Sequence, residues 1–256
     1  MLIIAGFLTG LVVGLTGVGG GALMTPILLL VFGVAPVTAV GTDLWFAALT
    51  KLVATRVHHS AGLIDWGVVK LLWTGSLPAA AITVVAMKMG WVATSFDLLR
   101  MAIACAVLIT ALGLILQPWL QGLGRGRRLG NESTFKRLQP VLTVAAGAGL
   151  GVIVTLTSVG AGALGVVILT YLYPLRLTPA RLIATDIVHA IPLALFAGIG
   201  HLFVGHVDFE LLGWLLLGSI PGVLIGAHLS ARLPARLLRI ALASILSAVA
   251  IKLLVS

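Results

Sequence analysis

The sequence predicts an all-α polytopic membrane protein. Three observations carry this: 60% of the 256 residues are hydrophobic, 9% are charged, and apolar runs recur from one end of the chain to the other. The segments between those runs are too short for a separate soluble domain of ordinary size, so one membrane domain is expected.

Ten apolar segments follow in order, at residues 2–16, 20–33, 36–57, 66–87, 97–117, 140–156, 160–173, 178–202, 210–230 and 236–255. The first opens at once on "MLIIAGFLTGLVVGL", without a basic leader and small-residue cleavage site, and reads as a retained first helix. The first, second, sixth and seventh segments are short. At 1.5 Å per residue, a run of about fourteen residues reaches only about 20 Å of a roughly 30 Å hydrocarbon core. They are expected to be broken or re-entrant helices.

The chain also repeats itself. "LTGVGGGAL" at 15–23 returns as "LTSVGAGAL" at 156–164, identical at seven of nine positions. Thr42 and Asp43 match Thr185 and Asp186, "GLIDW" at 62 matches "GHVDF" at 205, and "GSLP" at 75 matches "GSIP" at 218, with the offset held at 141–143 throughout. Residues 1–117 and 140–256 are therefore read as two homologous halves joined by a basic linker, 118–139. Five segments per half, an odd number, turn the second half over relative to the first, giving an inverted-topology repeat. The positive-inside rule agrees with this arrangement. With the five linker cations in the cytoplasm, Lys51, Arg56, Lys70, Arg176, Arg181, Arg232, Arg236 and Arg239 also fall inside, Asp208 and Glu210 fall outside, and Lys88 and Arg100 disagree. Both termini are then expected outside.

Charge and motifs exclude several function classes. The excess of sixteen Lys and Arg over seven Asp and Glu sits in loops and at helix ends, where topology explains it, so nucleic acid is not an expected partner. The linker cluster "RGRRLGNESTFKR" could also touch anionic headgroups. Lone Cys105 lies in an apolar run without a disulfide partner or metal-ligand spacing. "GVGGGA" followed by Asp43 mimics a dinucleotide fingerprint, but it is preceded by a glycine-spaced membrane helix and no βαβ pattern. With no nucleophile–base pair, metalloprotease motif or Walker loop, neither an enzyme nor an ATP-driven pump is expected, and no cofactor or metal.

The repeated glycine runs carry the chemistry. Each glycine weakens a helix by about 1 kcal/mol relative to alanine, and unwound backbone at membrane depth is tolerated only against protein or a water-filled cavity. A break there exposes backbone N–H groups at the start of the next half-helix, whose dipole favours an anion. The expected small-anion site therefore comprises Thr16, Gly17, Gly19, Gly20 and Gly21 from the first half, with Thr157, Ser158, Gly160 and Gly162 from the second. Gly6, Gly10 and Gly14, echoed by Gly147 and Gly151, have small-xxx-small spacing and are assigned to helix packing.

Asp43 and Asp186 each follow a proline by seven residues, about 10 Å along a helix. Buried acids of this kind are proton carriers or polar partners; here coupling and support of the helix break, with Thr42 and Thr185, are equally open. His189 lies one turn after Asp186 and could share its proton, whereas its first-half counterpart is Phe46. Lys51 is expected to snorkel to the interface beside Arg56, and His58, His59, His201 and His206 are expected to be surface histidines.

The doubled "GLTGVGGGALMTPILL" and "TLTSVGAGALGVVIL", the "GTD" and "ATD" after a proline, and the "GLIDW"/"GHVDF" and "GSLP"/"GSIPG" pairs resemble the sulfite exporter TauE/SafE family over nearly the whole chain. The resemblance implies a secondary transporter that exports small sulfur-containing anions such as sulfite, sulfoacetate or other organosulfonates across a bacterial inner membrane. The chain departs from a full glycine run in its second half, where Ser158 and Ala161 replace Gly17 and Gly20, so that site is expected to be less open or to contribute hydroxyls. The expected partners are the anion, the bilayer, protons and a second copy of the chain. A divalent-cation transporter and a passive anion channel are the alternatives.

Overall fold

A computed structural model describes the chain except residues 18–20, 58–61, 92–94, 131, 205, 231–232 and 256, and the side chains of 56–57, 128–130, 132–134 and 235. The described residues form ten helices and no strand: α1 Leu2–Thr16, α2 Gly21–Leu30, α3 Pro36–Val57, α4 Trp66–Lys88, α5 Phe96–Gly130, α6 Glu132–Thr157, α7 Ala163–Leu172, α8 Pro179–Phe203, α9 Phe209–Ser230 and α10 Ala235–Val255. Seven of them, α3 to α6 and α8 to α10, are long and apolar enough to cross a membrane. Large apolar side chains such as Ile82, Ile109, Leu217 and Ile251 are exposed on the outside, as a lipid-facing surface requires.

Short helices lie where the glycine runs predict them, with one exception. With ten residues each, α2 and α7 reach about 15 Å, half of a hydrocarbon core. α6, expected to be short, has 26 residues because it begins at Glu132. The segment read as a linker is itself largely helical: α5 runs through Pro118 to Gly130. Packing onto the end of α7 holds these extensions in place. Phe135 stands edge-on to Tyr171 with ring centroids 6.2 Å apart, and Arg127 donates to the Tyr171 hydroxyl at 2.7 Å.

The packing of the helices is duplicated. α1 packs on α9 and α6 on α4; α3 packs on α9 and α8 on α4; α2 packs on α10 and α7 on α5; α3 meets α8, and α5 meets α10. Adding five to each label maps every pairing onto another or onto itself. One apolar core therefore draws on both halves, with Leu23, Val40 and Leu44 from one and Val154, Leu193 and Leu246 from the other.

The glycines assigned to packing form the tightest seams. A Cβ on Gly6, Gly10 or Gly14 would overlap the α9 backbone at Leu215, Ser219 or Val223, and Gly75, Gly147 and Gly151 bring α4 and α6 equally close.

Candidate functional site

α1 and α6 stop in the same way at equivalent positions of the repeat. Gly17 turns left-handed at φ 64° and its N–H returns to the Val13 carbonyl at 2.9 Å; Ser158 turns at φ 58° and its N–H returns to Val154 at 2.8 Å. A serine carries a Cβ penalty there that a glycine does not. The two breaks touch: a Cβ on Gly21, the first residue of α2, would overlap the Ser158 carbonyl. In the second break Gly160 and Gly162 are also left-handed, at φ 110° and 145°, and Gly162 donates to the Gly160 carbonyl at 2.7 Å. Gly19 and Gly20 lie outside the described residues.

Both threonine hydroxyls fold back onto their own helices. Thr16 donates to Val12 at 2.7 Å and Thr157 to Ile153 at 2.6 Å, and Thr157 also accepts the Val159 N–H at 3.1 Å. Ser158 differs: its hydroxyl is buried beside the Asp43 carboxylate but makes no well-directed hydrogen bond.

The two membrane-depth aspartates are fully buried but not equivalent. One oxygen of Asp43 accepts both the backbone N–H, at 3.2 Å, and the hydroxyl of Thr25 in α2. The repeat places Val166 where Thr25 stands, which removes that hydroxyl donor from the second half. Asp186 instead lies against Gly165 in the first turn of α7, where a Cβ would overlap it, and neither of its oxygens has a hydrogen-bond partner. His189 does not turn to Asp186. Its Nε2 pairs with the Ser76 hydroxyl of α4 at 3.0 Å, which gives the "GSLP" motif a partner across the halves.

Lys51 departs most from expectation. It is 1% exposed and does not snorkel; its ammonium donates to the Ala161 carbonyl inside the second break. An unwound carbonyl lacks its helical donor and is a ready acceptor, which is what draws the lysine inward. Asp43 and Asp186 are the charges that act on it. Its repeat counterpart is Ala194, so this cation belongs to one half only. His201 is another correction: it is 2% exposed, and its Nε2 reaches the Thr155 carbonyl at 2.8 Å. His58 and His59 lie outside the described residues, as does Arg232.

Thr42 and Thr185 stitch the halves together. The Thr185 hydroxyl accepts the backbone N–H of Asp65, and Thr42 accepts that of Asp208, both at 3.1 Å. Each of those aspartates also caps the next helix, Asp65 accepting from Val68 at 3.2 Å and Asp208 from Leu211 at 2.9 Å. Asp65 further holds Arg176 in a bidentate pair at 2.7 and 2.8 Å. The threonine of each "TD" pair therefore supports the opposite half while its aspartate faces a break.

A cavity of about 710 Å³ opens among α1, α3, α5, α7, α8, α9 and α10. Its wall includes Thr16 and Gly17 at the first break, Thr55 one turn beyond Lys51, the amides of Gln117 and Gln121, and Arg236 and Arg239. The second break contributes neither Thr157 nor Ser158 to it, and both are buried. Among the described residues of the two breaks, Thr16 and Gly17 line this cavity and 157–162 do not, although Val166 and Thr170 of α7 do. Among the described residues no three His, Cys, Asp or Glu side chains converge.

A family model described as "Sulfite exporter TauE/SafE" matches residues 2–253. The chain is 37% identical to the Probable membrane transporter protein YjnA of Bacillus subtilis (strain 168), over 99% of this chain and 98% of that one. It is 27% identical to the Probable membrane transporter protein YdhB of the same organism, over 89% of this chain and 88% of the relative. No solved structure matches significantly. With seven membrane-length helices and a family match spanning nearly its whole length, the chain is a multi-pass membrane protein and belongs to the sulfite exporter TauE/SafE family of transporters.

Proposed function

We propose that this protein is a secondary transporter that exports small sulfur-containing oxyanions, such as sulfite, sulfoacetate or a related organosulfonate, across a bacterial inner membrane by alternating access. The cavity is the observation that carries the reading. Its wall holds Arg236 and Arg239 beside the N-terminal turn of α8 at Pro179 and Ala180, a setting that favours an anion, and it reaches Thr16 and Gly17 where α1 ends. The two halves act as inverted repeats meeting at the breaks, a reading supported by the constant sequence offset and the duplicated packing. In that topology the linker and the cavity mouth face the cytoplasm and both termini lie outside, so the state described here is open inward.

We assign the anion to the surroundings of the two breaks, at Thr16, Gly17, Gly19, Gly20 and Gly21 and at Thr157, Ser158, Gly160 and Gly162, where binding displaces bonds that Thr16, Gly17, Thr157, Ser158 and Gly162 now make to their own backbone. Asp43 and Asp186 support the breaks, and one of them carries a coupling proton. Transport needs no covalent chemistry and no cofactor.

A thermal-shift panel of sulfite, sulfate, thiosulfate, sulfoacetate and taurine on purified protein tests this, because a ligand that binds the native state raises its unfolding temperature by mass action. A dose-dependent rise with at least one sulfur oxyanion is expected. A silent anion panel alongside strong stabilisation by a divalent metal would replace the reading with a cation transporter.

A further inference from the structure

The buried lysine of α3 has no assigned task, although it reaches the second break at the Ala161 carbonyl. An ammonium has three donors, and Lys51 spends one on the Ala161 carbonyl without reaching ion-pair distance of an acid. A charge buried inside a membrane protein is unfavourable by several kcal/mol before its counter-ions Asp186 and Asp43 offset it, and such residues mark functional sites. Two carboxylates act on it: Asp186, both of whose oxygens lack a hydrogen-bond partner, and Asp43, which has the Ser158 hydroxyl beside it. The inward cavity ends close by, since Thr55 lines it and bonds the Lys51 carbonyl at 2.8 Å from one turn along α3.

Resting on the oxyanion reading above, we infer that Lys51 is the residue that meets the transported anion at the second break, its ammonium exchanging the Ala161 carbonyl for an anionic oxygen. The carbonyl holds the ammonium in place until the anion arrives; a bond between opposite charges then replaces one to an uncharged carbonyl, and the second break is released from the lysine. This ties occupancy to the conformation of the second break, which alternating access requires.

The flanking acids fix the charge balance. An oxyanion beside two carboxylates is repelled unless one of them is neutral. Asp43 is supported in its charged form by two donors from Thr25, whereas Asp186 has none, so Asp186 is the acid that is neutral when the anion is bound. The groups facing Asp186 agree with this assignment. α3 brings Lys51 and Asp43, the stretch from Ser158 to Gly165 brings no charged side chain, and His189 on α8 is turned to Ser76 of α4.

The test is a sulfite titration of thermal unfolding on wild type, Lys51→Met and the charge-balanced double variant Lys51→Met/Asp186→Asn. Basal unfolding temperature reports any structural role, and the sulfite-dependent increment reports binding. The expected result is a folded variant whose half-maximal sulfite concentration rises roughly 30-fold or more, as for loss of a desolvated charge partner. If Lys51→Met does not fold, the double variant, which removes one charge of each sign, carries the same expectation. A folded variant that responds to sulfite like wild type overturns the role of Lys51 while leaving the oxyanion reading standing. A wild type unresponsive to every anion of the panel overturns both.

Discussion

The side chains that decide how this site works are those whose surroundings differ between the two halves. Ser158 adopts the left-handed turn that its counterpart Gly17 adopts without a Cβ. Ser158→Gly should therefore stabilise the protein by about 1 kcal/mol, read as a higher unfolding temperature in detergent; a lower one would mean that the buried hydroxyl holds the break together. Asp43 and Asp186 were legible in the sequence because a carboxylate inside an apolar run demands a reason wherever the chain folds. Lys51 was not. The direction of its stem depends on the Ala161 carbonyl, 110 residues away in the chain, which is freed only because α6 ends at Thr157. His201 was misread for the same cause, its partner being the Thr155 carbonyl of another helix.

Among the elements, close packing and helix breaking are two uses of glycine that spacing alone separates well. Gly10 lies on the α1–α9 seam, where a Cβ meets the Ser219 backbone, while Gly213 in the same α9 has nothing within 4 Å. Gly10→Ala should destabilise by about 1–3 kcal/mol through overpacking, and Gly213→Ala should be neutral or stabilise by up to about 1 kcal/mol through helix propensity. Thermal unfolding of the pair checks this, and equal effects would contradict the seam. Eight of the helices begin and end within about three residues of the apolar segments read from sequence. The α5 and α6 extensions escaped because Pro118, Pro140 and the cluster of cations read as helix ends, whereas contacts with Tyr171 hold the helices past them.

For the molecule as a whole, the repeat was readable from a constant offset, but the pairing of its parts was not. Nothing in the motifs says that Thr185 receives Asp65 or that Thr42 receives Asp208, because those bonds join segments more than a hundred residues apart. Nor does a near-symmetric sequence reveal that Thr16 and Gly17 border a cavity while Thr157 and Ser158 are buried away from it. Exchange of an anion across a membrane is the central claim of the proposed function. The most direct measurement is counterflow in proteoliposomes: vesicles loaded with unlabelled sulfite and diluted into labelled sulfite. The account predicts saturable uptake of label that is accelerated by sulfite on the opposite side. Uptake that grows linearly without saturation and ignores the internal anion would contradict it and identify a passive pore.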